Sequence, residues 1–160
     1  MDNLQKYNSF IFDCDGVILN SNKIKSNAFF EVASKFGKEH ADKLLTFHLE
    51  NGGISRYKKF GYFLEEILEN KVTEYTVDSL CKEFSDIVLR DLLASEVNDE
   101  IFYLKEVYKN NQWLVVSGGD QAELRLVFKN KNIDILFEGG IYGSPMKKTS
   151  IFMDLFNRKK

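Results

Sequence analysis

Cysteine, histidine and proline are all scarce in this chain. Its 160 residues include two cysteines, two histidines and a single proline, Pro145. Cys14 and Cys81 form no metal or redox motif, which predicts a reducing, cytoplasmic setting. No apolar stretch approaches the roughly 20 residues of a membrane span, and the first residues do not have the form of a signal peptide. Net charge is −2, with Lys and Glu scattered along the chain, so no nucleic-acid footprint is present. The closing Arg158-Lys159-Lys160 reads as a solvated helix end. Internal repeats and low-complexity tracts are absent. What remains is a hydrophobic content of 44% with 14 Phe, enough for a packed interior. The length suggests one domain, or a small core carrying an insertion.

The most informative stretch is Asp13-Cys14-Asp15-Gly16, which closes the apolar run Ser9-Phe10-Ile11-Phe12. Phe10 to Phe12 read as a strand apolar on both faces, the pattern of a central parallel strand covered by helices. Two carboxylates at the end of such a strand are costly unless a cation, hydrogen bonds or a reaction compensates them. Asp13 and Asp15 are two apart, so on an extended chain they share a face while Cys14 turns away. Gly16 permits a backbone conformation that a Cβ would forbid. One carboxylate can attack an electrophile while the other serves as acid and base, with a hard cation such as Mg²⁺ suppressing their repulsion. The tetrapeptide alone is equally a turn, since Asp-Gly pairs form turns readily.

Two further segments carry candidate chemistry. Trp113 to Val116 reads as a strand that ends at Ser117-Gly118-Gly119, ahead of a helix-like segment from Asp120 to Lys129. The Ser117 hydroxyl and the Gly118 amide could face an anion there, or the segment could be a plain strand-to-helix turn with Asp120 as N-cap. Lys147 and Lys148 follow Pro145 in the first turn of a closing helix, where a cation opposes the helix dipole.

From about Asn20 to Ser95 the chain reads as helices: Ile24 to Phe36, Ala41 to Leu49, Tyr57 to Glu69 and Val77 to Leu93. Gly37, Gly52-Gly53 and Asn70 punctuate them. In Asn51-Gly52-Gly53-Ile54-Ser55-Arg56 the arginine is a candidate bidentate anion binder, with Ser55 as N-cap and a solvated Arg56 as the alternative. Lys58 and Lys59 read as a solvated face, and His40 and His48 as helix surface or packing. Beyond the insertion, Asp99 to Lys109 reads as a helix and Leu124 to Phe128 as helical. Ile135 to Phe137 reads as a short strand leading through Gly139-Gly140 to Gly143, and Ile151 to Phe156 as a last helix.

Taken together, Phe12-Asp13-Cys14-Asp15-Gly16-Val17-Ile18-Leu19-Asn20-Ser21, then Trp113 to Gly119, then Gly143-Ser144-Pro145-Met146-Lys147-Lys148 resemble, in order, the first three signatures of the haloacid dehalogenase superfamily. The resemblance implies an α/β fold, a Rossmann-like parallel sheet core built from residues 1–19 and 96–160. It makes residues 20–95 an inserted helical cap of the phosphoglucomutase and phosphoglycolate phosphatase branch. It also implies an enzyme: a Mg²⁺-dependent phosphatase of a small phosphorylated metabolite, working through an aspartyl phosphate. In that reading Asp13 is the nucleophile, Asp15 the acid and base, and both hold the metal. Ser117, Gly118 and Lys148 neutralise the phosphate, Arg56 contacts substrate, and Lys148 fits the pattern better than Lys147.

The resemblance stops before the family's fourth motif, an acidic strand end beyond the Lys. The expectation is therefore a C-terminally truncated core, with the Phe10 to Phe12 strand left at a sheet edge through which the chain could self-associate. A sugar-phosphate mutase using the same residues is an alternative, as is a non-catalytic anion-binding protein. Asp15 disfavours dehalogenation, and a phosphonatase would need an imine-forming Lys such as Lys58 or Lys59.

Overall fold

The apolar run ahead of Asp13 is a strand. In the computed structural model, which describes residues 4–157, β1 spans Ser9–Phe12. Four helices follow: α1 (Asn22–Ser34), α2 (Lys38–Glu50), α3 (Arg56–Tyr62), which runs on as a π-helical turn through Phe63–Ile67, and α4 (Val77–Ala94). Then come α5 (Glu100–Val107), β2 (Gln112–Asp120), α6 (Gln121–Asn130), β3 (Ile141–Ser144) and α7 (Lys148–Asn157). The basic tripeptide Arg158-Lys159-Lys160 lies outside the described residues. Among those described, no helix is long and apolar enough to cross a membrane.

The chain forms two units, Met1–Asn20 with Leu93–Lys160, and Ser21–Leu92. The first is α/β. Its sheet is parallel and ordered β1-β2-β3, with Phe12 opposite Val115 and Val115 opposite Ile141. Parallel strands need crossover connections, and α6 supplies the one between β2 and β3. β2 is the central strand, with Trp113 to Ser117 all buried. One side of the sheet carries an aromatic core in which Phe12 meets Trp113 at 4.5 Å and Phe137 at 5.9 Å, and Phe128 meets Phe137 at 5.5 Å.

β1 departs from the central position that its composition suggests. It pairs with β2 alone among the described strands, and Ile11 is 42% exposed. An apolar residue pair on one strand does not say which edges are paired, because backbone pairing leaves no trace in side-chain type.

The strand expected at Ile135 to Phe137 is not one. Asp134–Leu136 is a 3₁₀ turn with Ile135 77% exposed, and the third strand is Ile141–Ser144. Glycine hid it. A Cβ at Gly143 would lie 2.4 Å from the Gly119 carbonyl oxygen and 3.0 Å from the Gln121 amide nitrogen, so β3 can approach β2 only without a side chain there. Gly143→Ala therefore should destabilise the α/β unit by about 1–3 kcal/mol, because both obstructing atoms are backbone. Urea unfolding checks this, and an unchanged midpoint contradicts it.

The second unit is helical. Its interior is built on Phe29, Phe60 and Phe84, with ring centroids 4.4 Å apart for Phe29 and Phe84 and 5.2 Å for Phe29 and Phe60. Turns fall where glycine and asparagine punctuate the sequence, with Gly37, Gly53 and Asn70 at positive φ. Both cysteines are buried free thiols, and burial pushes the Cys81 thiol up to about 11.

Candidate active site

Directly after β1 the chain closes a tight loop. The Cys14 carbonyl accepts from the amides of Ile18 at 3.0 Å and Leu19 at 3.1 Å, and the Gly16 amide donates to the Leu19 carbonyl at 2.8 Å. Gly16 sits at φ +72°, in the left-handed region that glycine enters without a Cβ penalty. Cys14, Ile18 and Leu19 are essentially buried and pin the loop, while Asp13 is exposed and Asp15 half-buried. The alternation therefore holds through Asp15, with the thiol inward and the flanking carboxylates outward.

Asp13 is held at both oxygens. Its Oδ1 accepts from the Cys14 amide at 2.8 Å, and its Oδ2 accepts from Lys148 Nζ at 2.7 Å. Lys148 is the first residue of α7, reached from β3 through the cis Ser144–Pro145 peptide. Buried Ile151, one turn further on, anchors α7 to its unit. The Lys148 and Asp13 side chains are 42% and 46% exposed, so an incoming anion can reach both. An ion pair this exposed adds little stability.

Ser117 and Gly118 lie on β2 beside this point. Phe12 is opposite Val115, so Asp13 is level with Val116, and Ser117 and Gly118 come one and two residues beyond. Carboxyl ends of adjacent parallel strands are where open α/β sheets bind ligands. Gly118 is exposed with open space around its Cα. The Ser117 hydroxyl is fully buried and accepts from the Gly119 amide at 3.0 Å, which leaves its own proton to donate. Asp120 caps α6, accepting from the amides of Ala122 at 2.9 Å and Glu123 at 3.1 Å. The strand continues through the Ser-Gly-Gly segment to Asp120, so strand end and helix cap meet in that one residue.

Arg56 belongs to the helical unit. Ser55 caps α3 by accepting from the Lys58 amide at 3.5 Å. The Arg56 guanidinium donates to Ser85 Oγ and lies 5.1 Å from the Phe84 ring centroid. Lys59 corrects the sequence reading: it is 3% exposed and not part of a solvated face. Its spacing carried the signal, since Lys59 follows Arg56 by three residues and adjoins Phe60 on the buried side of α3. Among the described residues, no group of three or more His, Cys, Asp or Glu gathers to hold a metal ion.

No protein-family model matches the sequence, and no curated protein matches it in sequence. Solved structures do match the fold. A protein of Haemophilus somnus described as a predicted phosphoglycolate phosphatase is 15% identical with a TM-score of 0.67, over 91% of this chain and 67% of that one. A hydrolase of the haloacid dehalogenase-like family from Streptococcus pneumoniae is 17% identical with a TM-score of 0.63, over 96% of this chain and 70% of that one. A Bacillus subtilis protein described as a HAD hydrolase and solved bound to magnesium is 15% identical with a TM-score of 0.62, over 92% of this chain and 72% of that one. The chain has the α/β fold of haloacid dehalogenase-like hydrolases.

Proposed function

We propose that the chain is a phosphomonoester hydrolase of the haloacid dehalogenase superfamily, acting on a small phosphorylated metabolite with Asp13 as nucleophile. The observation that supports this most is the 2.7 Å contact between Lys148 and Asp13, residues 135 positions apart that the family resemblance casts as phosphate ligand and nucleophile.

Each residue has a role that follows from its chemistry. The Cys14 amide and Lys148 fix the Asp13 carboxylate so that one oxygen can meet phosphorus in line. As the Asp13 oxygen bonds to phosphorus, the ester oxygen leaves and takes a proton from Asp15. Asp15 then removes a proton from water, whose oxygen attacks the same phosphorus and expels the Asp13 carboxylate with inorganic phosphate. Lys148, the Gly118 amide and the Ser117 hydroxyl offset charge on the phosphoryl oxygens.

The oxygen donors of Asp13 and Asp15 suit a hard cation, and Mg²⁺ is commonly held by one or two carboxylates while keeping several waters. Asp13 and Asp15 would hold it, and it would neutralise negative charge shared by carboxylate and phosphate. With two acidic residues and no third within reach among the described ones, the affinity expected is modest. Release of inorganic phosphate from a panel of small phosphomonoesters tests the reading. Mg²⁺-dependent release that EDTA stops supports it, and no release above that of Asp13→Asn contradicts it.

A further inference from the structure

The loop that carries Asp15 is fastened from outside by a residue far from it in sequence. Within the loop, the Cys14 carbonyl collects the amides of Ile18 and Leu19, which closes the turn but leaves the carbonyls of Val17 and Ile18 to be met elsewhere. Asn98 meets both. Its Nδ2 donates to the Val17 carbonyl at 3.0 Å, across 81 positions, and its main-chain amide donates to the Ile18 carbonyl at 2.9 Å. The Asn20 amide donates to the Glu96 carbonyl at 3.2 Å, and Leu19 forms an antiparallel bridge with Val97. All of these residues belong to the α/β unit.

Asn98 is itself held by the first turn of α5. Its Oδ1 accepts from the Glu100 amide at 3.1 Å, and its carbonyl accepts from the Ile101 amide at 3.1 Å. A carboxamide has an acceptor and a donor on one planar group, so one end can cap a helix while the other holds a loop. Serine and aspartate cap helices about as well as asparagine. Neither replaces the second bond, since an ionised aspartate has no donor and a serine hydroxyl is one atom shorter. The donor to Val17 is what asparagine adds at this position. Val17 lies two residues beyond Asp15, and Asp15 bridges to Leu19 within the same loop.

We propose that Asn98 is a positioning residue for Asp15. By tying the loop to α5, it fixes where the Asp15 carboxyl stands when it gives a proton to the leaving group and later takes one from water. Asn98 touches neither substrate nor the reacting atoms. The task of Asp15 rests on the phosphatase reading, whereas the anchoring of the loop does not.

The test compares the parent chain with Asn98→Ser and Asn98→Asp, which both keep an acceptor for the Glu100 amide and remove the donor to Val17. In both variants the Ile18 and Leu19 amides should exchange their hydrogens at least about tenfold faster, with the α5 amides unchanged. With a small phosphomonoester and Mg²⁺, kcat should fall about tenfold while KM stays within about twofold, because the acid and base is misplaced while Lys148 and Ser117 still hold the phosphate. Unchanged exchange in both variants overturns the anchoring. Faster exchange with an unchanged kcat, or with a loss confined to KM, overturns the positioning role. A parent chain that turns over no phosphomonoester ends the phosphatase reading and the task of Asp15 with it, while exchange still decides whether Asn98 anchors the loop.

Discussion

Asp13→Asn is expected to remove phosphomonoester turnover, with a loss of at least about 10³-fold in kcat. An amide oxygen is a poor nucleophile and a worse leaving group, so both half-reactions fail together. The fold is expected to tolerate the change. Asn keeps an oxygen for the Cys14 amide, which Asp13 now accepts at 2.8 Å. What it loses is the ion pair to Lys148, whose two side chains are 42% and 46% exposed. Pairs of that exposure contribute at most about 1 kcal/mol. A melting temperature close to that of the parent chain, alongside lost turnover, separates chemistry from stability. Comparable turnover by the variant would remove the nucleophile from Asp13.

Lys148→Met carries the second largest effect, a fall of about 10²-fold in kcat/KM. The amine reaches Asp13 Oδ2 at 2.7 Å from the first turn of α7, where a cation opposes the helix dipole. A lysine placed there at a cost to its helix has a reason outside the helix. Removing it should leave α7 intact or slightly steadier while weakening both substrate affinity and the reaction. Lys147→Met is the matched control, because Lys147 precedes the helix and its main-chain carbonyl accepts from the Ile151 amide, a bond the substitution keeps. If both substitutions reduce kcat/KM equally, Lys148 has no specific role.

The parts of this protein that are legible in its sequence are those written in side chains. Helices α1, α2 and α4 follow from apolar spacing, and their ends fall near the glycines and asparagine that break them. Gly16, Asp120 and Ser55 act in turn and cap as their residue types imply. β3 was hidden because its decisive residue is Gly143, chosen for the absence of a side chain, and a glycine reads as a break. The edge position of β1 follows from where the motifs stop and not from Phe10 and Phe12, which are apolar because of the aromatic core on one face and carry no record of strand order. Lys59 was misread for a different reason. Charge alone predicts solvent, and only the helical interval from Arg56 places the amine against Phe29 and His48. At the site itself, the proximity of Asp13 and Lys148 is a tertiary fact, and the motif order anticipates it without giving a distance.

The measurement that tests the central claim most directly is the position of the phosphoryl group during turnover. The chain is mixed with a phosphomonoester and Mg²⁺, quenched in acid, digested, and its peptides are mapped by mass spectrometry. The account predicts a phosphoryl group on Asp13, absent from the Asp13→Asn chain. Sustained turnover with the phosphoryl group on another residue, or an equal amount of modified peptide after Asp13→Asn, would contradict it.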